Sequence, residues 1–153
     1  MQVRQIFAAV MAAAVIGASG MAVAQAVRTP AETAQFRHEQ FRRMGSAFKA
    51  VNDGAREREP NLAALRASTQ TISQLAEQAP TWFPAGSGPG NGFETKAKAE
   101  IWSNSAAFAE QMRLFRTAAR NLAGASDIDA IRTSARAVGA QCASCHVAFR
   151  ERD

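Results

Sequence analysis

Bulky apolar residues along this chain return at steps of three and four, and no stretch shows the two-residue alternation of a half-buried strand. The first helix is predicted to open at Thr29-Pro30-Ala31-Glu32, with Thr as N-cap, Pro in the first helical position and Glu completing a capping box. It ends at Asn52-Asp53-Gly54, and Phe41, Met44 and Phe48 share one of its faces, with Phe36 a turn earlier. A second helix starts near Pro60, turns Leu62, Leu65, Ile72, Leu75 and Ala79 inward and is stopped by Pro80. A third is expected from about Thr95 to Leu122, with Ile101, Phe108, Met112, Phe115, Ala119 and Leu122 in step and Gly124 closing it. Ser126-Asp127-Ile128-Asp129 caps a fourth, on which Ile128, Ile131, Ala135, Val138, Cys142, Cys145 and Phe149 form a sustained seam.

Four such helices with mostly short connections predict an all-α fold, an antiparallel up-down four-helix bundle. One connection is different. Between Pro80 and Gly92 lie three Pro, four Gly, a Ser and an Asn, a long non-helical loop pinned by Trp82 and Phe83.

The first 24 residues stand apart from this pattern. Arg4 supplies a positive start, Ile6 to Ile16 is an apolar run rich in Ala, and Ala22-Val23-Ala24 is a small-x-small cleavage site, with Ala24-Gln25-Ala26 as a second choice. A membrane anchor is disfavoured, because Gly17, Ser19 and Gly20 interrupt the run before it reaches the ~20 residues of a span. Residues 1–24 therefore read as a cleaved secretory signal, and residues 25–153 as one domain exported to the periplasm, with no membrane insertion after cleavage.

With 153 residues, of which 47% are hydrophobic, the chain can build its core without covalent staples. Removal of Arg4 with the leader lowers the formal net charge from +5 to +4. The basic residues fall as singles and pairs without interleaved aromatics, which is a solvated helix face and not a nucleic-acid surface.

The two cysteines fall within Cys142-Ala143-Ser144-Cys145-His146, which fits C-x-x-C-H, the attachment sequence of a covalent c-type haem. Two thiols three residues apart on a helix lie about a turn from each other, so each can add to one vinyl group, and the adjacent His projects toward the ring centre as axial iron ligand. The motif thus calls for one haem c per chain, with His146 on the metal. A structural zinc site would have only Cys142, Cys145, His146 and the distant His38 to draw on. A thioredoxin-type disulfide belongs where a strand enters a helix, not near the end of a helix in an all-α chain.

The mature chain resembles the cytochrome c′ family, four-helix bundles with the haem near the C-terminal end. The resemblance is carried by Phe36-Arg37 with Phe41 and Met44, by Trp82-Phe83-Pro84-Ala85-Gly86-Ser87, by Lys96-Ala97-Lys98-Ala99-Glu100-Ile101-Trp102, and by Cys142 to His146 followed by Phe149-Arg150. It implies that Phe41 covers the distal side of the iron, where low-spin relatives place a Met ligand, and that Arg37 lies near the haem propionates. It also implies a place for Arg150 beside the proximal face, although a cation there also suits the helix dipole by roughly 0.3–1 kcal/mol. Met44 matches a position the family fills as core packing.

With a phenyl ring in the distal place, the resemblance implies a five-coordinate, high-spin iron that binds small gases, chiefly nitric oxide, in sequestration, transport or protection against nitrosative stress. Carbon monoxide, which needs the face under Phe41, should bind weakly, whereas nitric oxide can weaken the bond to His146 and leave a five-coordinate nitrosyl. The alternative is a low-spin electron carrier with Met44 or His38 as second ligand, working with a redox partner protein. An enzyme is not expected, since a single haem without a second metal or a proton-delivery chain is poorly equipped to reduce nitric oxide. The family's habit of pairing through its first two helices implies a homodimer, for which Phe36, Phe48 and Leu62 are candidates that would equally serve the core.

Overall fold

The computed structural model describes residues 28–90 and 92–152, so the leader lies outside the described residues. Helix α1, Pro30–Gly54, opens as its sequence dictates: the Thr29 hydroxyl accepts from the Glu32 amide at 3.2 Å and the Glu32 carboxylate accepts from the Thr29 amide at 2.7 Å. Helix α2, Leu62–Gln78, is capped by Asn61, whose side-chain oxygen accepts from the Ala64 amide. Pro80 then tightens the chain into a 3-10 turn, Ala79–Trp82.

The third helical stretch differs from expectation. It is divided into a single turn, α3, Glu100–Ser103, and the long α4, Ser105–Ala123, with Asn104 out of helical geometry at φ −122° and ψ 55°. Residues 96–98, good helix formers, are instead held in a strand-like pairing by the end of the chain, and helical geometry resumes only at Ala99. The Lys98 amide donates to the Phe149 carbonyl at 3.0 Å and the Glu151 amide to the Lys96 carbonyl at 2.8 Å. Helix α5, Ile128–Phe149, is capped by the Asp127 carboxylate at the Ala130 amide.

The helices pack in a ring, α1 on α2, α2 on α4, α4 on α5 and α5 back on α1, an antiparallel four-helix bundle. One end is tied by main-chain carbonyls. Arg132 donates twice to Ala55 just past α1, at 2.9 and 2.7 Å, and Arg66 on α2 donates to Ser126 ahead of α5. From this end to the middle the bundle is filled by fully buried Val51, Ile72, Ala119, Leu122, Ile131 and Val138. Phe36, Phe48 and Leu62 pack partly buried against this same core.

At the opposite end α1 starts, α5 finishes and the long loop crosses between α2 and α3, and there the filling is aromatic and incomplete. Phe36, Trp82, Phe41, Phe83, Phe108 and Phe149 form a continuous run of rings, each 4.7–6.3 Å from the next, mostly edge to face.

Candidate functional site

The aromatic end encloses a cavity of about 1010 Å³, between α1, the loop, α4 and the last two turns of α5. Phe41, Met44, Ile101, Phe108, Met112 and Phe115 give it apolar depth, and Gln35, His38, Glu94, Lys96 and Arg150 give it an exposed polar rim. The site residues expected from the sequence, Arg37, Phe41, Met44, Cys142, Cys145, His146 and Arg150, all line this space, as does His38.

Helical spacing accounts for the α5 wall. Cys142 and Cys145 continue the buried stripe of Ile131, Ala135 and Val138 and are half-buried free thiols, while His146, one residue further round, stands at the exposed edge. Burial raises the Cys142 thiol and pushes Cys145 up to about 11, with Cys142 beside it adding to the effect. Burial also lowers His146, and the nearby Arg150 lowers it further, so the imidazole is held in the neutral form that can ligate a metal. Arg150 is fixed in turn by main chain: its amide donates to the His146 carbonyl at 3.2 Å, and it pairs antiparallel with Ala97.

On the α1 wall Phe41 is half-buried, its ring edge-on to Trp82 at 5.1 Å and 85° and tilted on Phe83 at 6.1 Å. Met44, one turn deeper, is 5% exposed and belongs to the core, while His38 is exposed at the rim.

Arg37, which the resemblance puts near the haem propionates, lines the same cavity and is bound by the loop. It is 4% exposed, and its terminal nitrogens donate to the Trp82 carbonyl at 3.2 Å, the Ser87 hydroxyl and carbonyl at 3.1 Å each, and the Thr95 hydroxyl at 3.0 Å. The guanidinium also lies over Phe83 at 4.7 Å. Burial draws it down to about 10, so it remains a cation at neutral pH. That Ser87 and Thr95 bind Arg37 escaped the sequence reading, for a hydroxyl in a loop carries no mark of its partner. Ser87 reaches Arg37 because Pro84 to Ser87 close a turn, the Ser87 amide donating to the Pro84 carbonyl, with Gly86 at φ 79° where other residues would be strained.

An all-helical bundle that directs two thiols and an adjacent imidazole from its last helix into a terminal apolar cavity is the architecture of a c-type cytochrome. The cytochrome c′ family model matches residues 32–150. The chain is 28% identical to cytochrome c′ of Alcaligenes xylosoxydans over 127 residues, 80% of this chain and 96% of that one. It is also 28% identical to cytochrome c-554 of Cereibacter sphaeroides, over 86% of this chain and 89% of that one. Among solved structures, cytochrome c′ of Rubrivivax gelatinosus superposes with a TM-score of 0.74 at 25% identity, covering 81% of this chain and 98% of its own. A nitric oxide complex of an Alcaligenes xylosoxidans cytochrome c′ variant superposes equally well, at 25% identity over 82% of this chain and 99% of its own. The chain belongs to the cytochrome c′ family, and its cofactor is covalently bound haem c.

The residues present fit that group. Two half-buried thiols one turn apart, a neutral imidazole beside them and an apolar chamber near the upper end of the ~300–1,000 Å³ common for ligand sites converge at one end of the bundle.

Proposed function

We propose that this protein is a periplasmic haem protein for small gases, chiefly nitric oxide, acting in sequestration, transport or protection against nitrosative stress and not as an enzyme. When bound, haem c supplies an iron to which a diatomic gas can bind. Cys142 and Cys145 hold the group, and His146 is its axial ligand. Residues 25–153 form the exported domain, with residues 1–24 as its leader; no helix among the described residues is long and apolar enough to cross a membrane.

Phe41 carries this reading. It stands on the α1 wall of the cavity whose α5 wall bears His146, and a phenyl ring offers the iron no donor atom, which favours a five-coordinate, high-spin state with the distal side covered. With haem bound, Phe41 would oppose carbon monoxide sterically, and His146 would be the ligand that nitric oxide could displace. Arg150, which lines the same cavity one turn after His146, is the residue we assign to a gas on the proximal side. Related proteins support gas binding: Alcaligenes xylosoxidans variants have been solved with nitric oxide and with carbon monoxide. Another cytochrome c′ shows ligand-controlled dimer dissociation, and a homodimer is proposed here too.

Absorption spectra of the ferric and ferrous holoprotein, alone and with each gas, test the proposal. High-spin spectra, a nitric oxide product that has lost His146 and a weak response to carbon monoxide are expected. Low-spin spectra in both oxidation states with no response to either gas would overturn it in favour of an electron carrier using Met44 or His38.

A further inference from the structure

Phe41 can cover the iron only if its ring is prevented from swinging aside, and the groups that prevent it are visible. Its edge meets Trp82 and its face tilts against Phe83, two consecutive residues at the end of the 3-10 turn. Neither belongs to α1, so the position of the ring depends on how firmly the loop is fastened to that helix. The fastening is Arg37, one turn before Phe41. Its guanidinium grips the Trp82 carbonyl and lies over the Phe83 ring, and it binds the loop again at Ser87 and Thr95. The far side of this brace is closed by Trp102, whose indole donates to the Pro84 carbonyl at 3.0 Å and whose ring leaves no room for a side chain at Gly88; an added Cβ would lie 2.8 Å from it.

We infer that Arg37 is the positioning residue that sets the steric selectivity of the site: by clamping Trp82 and Phe83 to α1 it holds Phe41 over the iron. This rests on the reading of Phe41 as the distal cover. A flat cation is suited to the task, because its fork of donors reaches several loop acceptors at once while its face stacks on a ring. Arg37 touches no gas in this scheme and acts only through the aromatic pair.

The experiment tracks carbon monoxide association with the ferrous holoprotein by stopped flow, together with hydrogen exchange of the segment from Ala79 to Thr95 by mass spectrometry. The variants are Arg37→Met, Thr95→Val, Phe41→Ala and the double variant Arg37→Met with Phe41→Ala. Arg37→Met is expected to speed association about tenfold, the change given by a barrier lowered by about 1.4 kcal/mol. Thr95→Val, which removes one of the contacts, moves the rate in the same direction by less and serves if Arg37→Met does not fold. Loop exchange quickens in both Arg37→Met backgrounds, but the rate gain disappears once Phe41 is absent. An unchanged rate in Phe41→Ala overturns the distal-cover reading and this inference with it. Faster association in Phe41→Ala but not in Arg37→Met or Thr95→Val overturns this inference alone. An equal gain with and without the Phe41 ring also overturns it, since Arg37 would then act by some other route.

Discussion

Replacing Arg37 by Met keeps much of the buried stem and deletes the fork, so the stability that the fork contributes can be worked out from its acceptors. Two of them are carbonyls of nearly inaccessible residues, Trp82 at 3% and Ser87 at 1% exposure. The Ser87 hydroxyl still donates to the Pro84 carbonyl, and the Thr95 hydroxyl still accepts from the Ala97 amide, so these two are less affected. Each buried carbonyl deprived of its donor costs about 1–3 kcal/mol. Against this, a buried cation that bonds to neutral oxygens is removed, which recovers part of its desolvation. The balance is a loss of roughly 2–4 kcal/mol, enough to lower Tm by about 10 °C in a domain of this size. Guanidinium unfolding of the holoprotein, monitored by far-UV circular dichroism, measures it as a lower midpoint at unchanged slope. Arg37→Lys should recover little, since an ammonium cannot span the same acceptors. A loss below about 0.5 kcal/mol, the scatter of ordinary surface substitutions, would refute the reasoning.

Gly45 lies in the middle of α1, exposed, with nothing within 4 Å of the Cβ an alanine would add, so Gly45→Ala should raise stability by about 0.5–1 kcal/mol in the same unfolding assay. Glu77 accepts from Arg120 and Arg116 at 2.6 Å each, and these bonds pull its carboxyl from the ordinary 4.5 down to about 2. A depressed carboxylate stabilises above its ordinary value and ceases to do so as the pH falls through the folded one. The stability difference between the wild type and Glu77→Gln should therefore be constant above pH 5 and vanish between about 4.5 and 2. Because the cluster is exposed, the difference should also shrink with added salt in melts at pH 7.

The bundle was legible because its punctuation is local. Thr29 with Glu32 and Asp127 declare helix starts through bonds made within three residues, Pro80 declares an end by lacking an amide hydrogen, and the three- and four-residue steps then assign the inward faces. The error at residues 95–99 has the opposite origin. Lys96 to Glu100 favours a helix on its own, and the strand-like pairing that overrides it comes from Phe149 and Glu151, some 50 residues away, where nothing in the sequence announces it. The site divides in the same way. Cys142, Cys145 and His146 are bound together by one motif on one helix, whereas Phe41 is singled out among the apolar residues of α1 only by the family resemblance. Arg37 is visible as a residue, but its loop partners Ser87 and Thr95 become so only when Gly86 turns the chain.

The pairing of residues 96–98 with 149–151 also bears on how the protein is made. Helices α1, α2, the loop and α4 all precede the attachment motif along the chain, so the segments of three walls of the chamber are synthesised before either thiol. The terminal residues beyond His146 then latch onto the lead-in to α3 and close the remaining side. Shortening the chain just beyond Phe149 would leave that motif whole and keep the bond from Lys98 to Phe149, while removing the pairings of Arg150 and Glu151 that complete the catch.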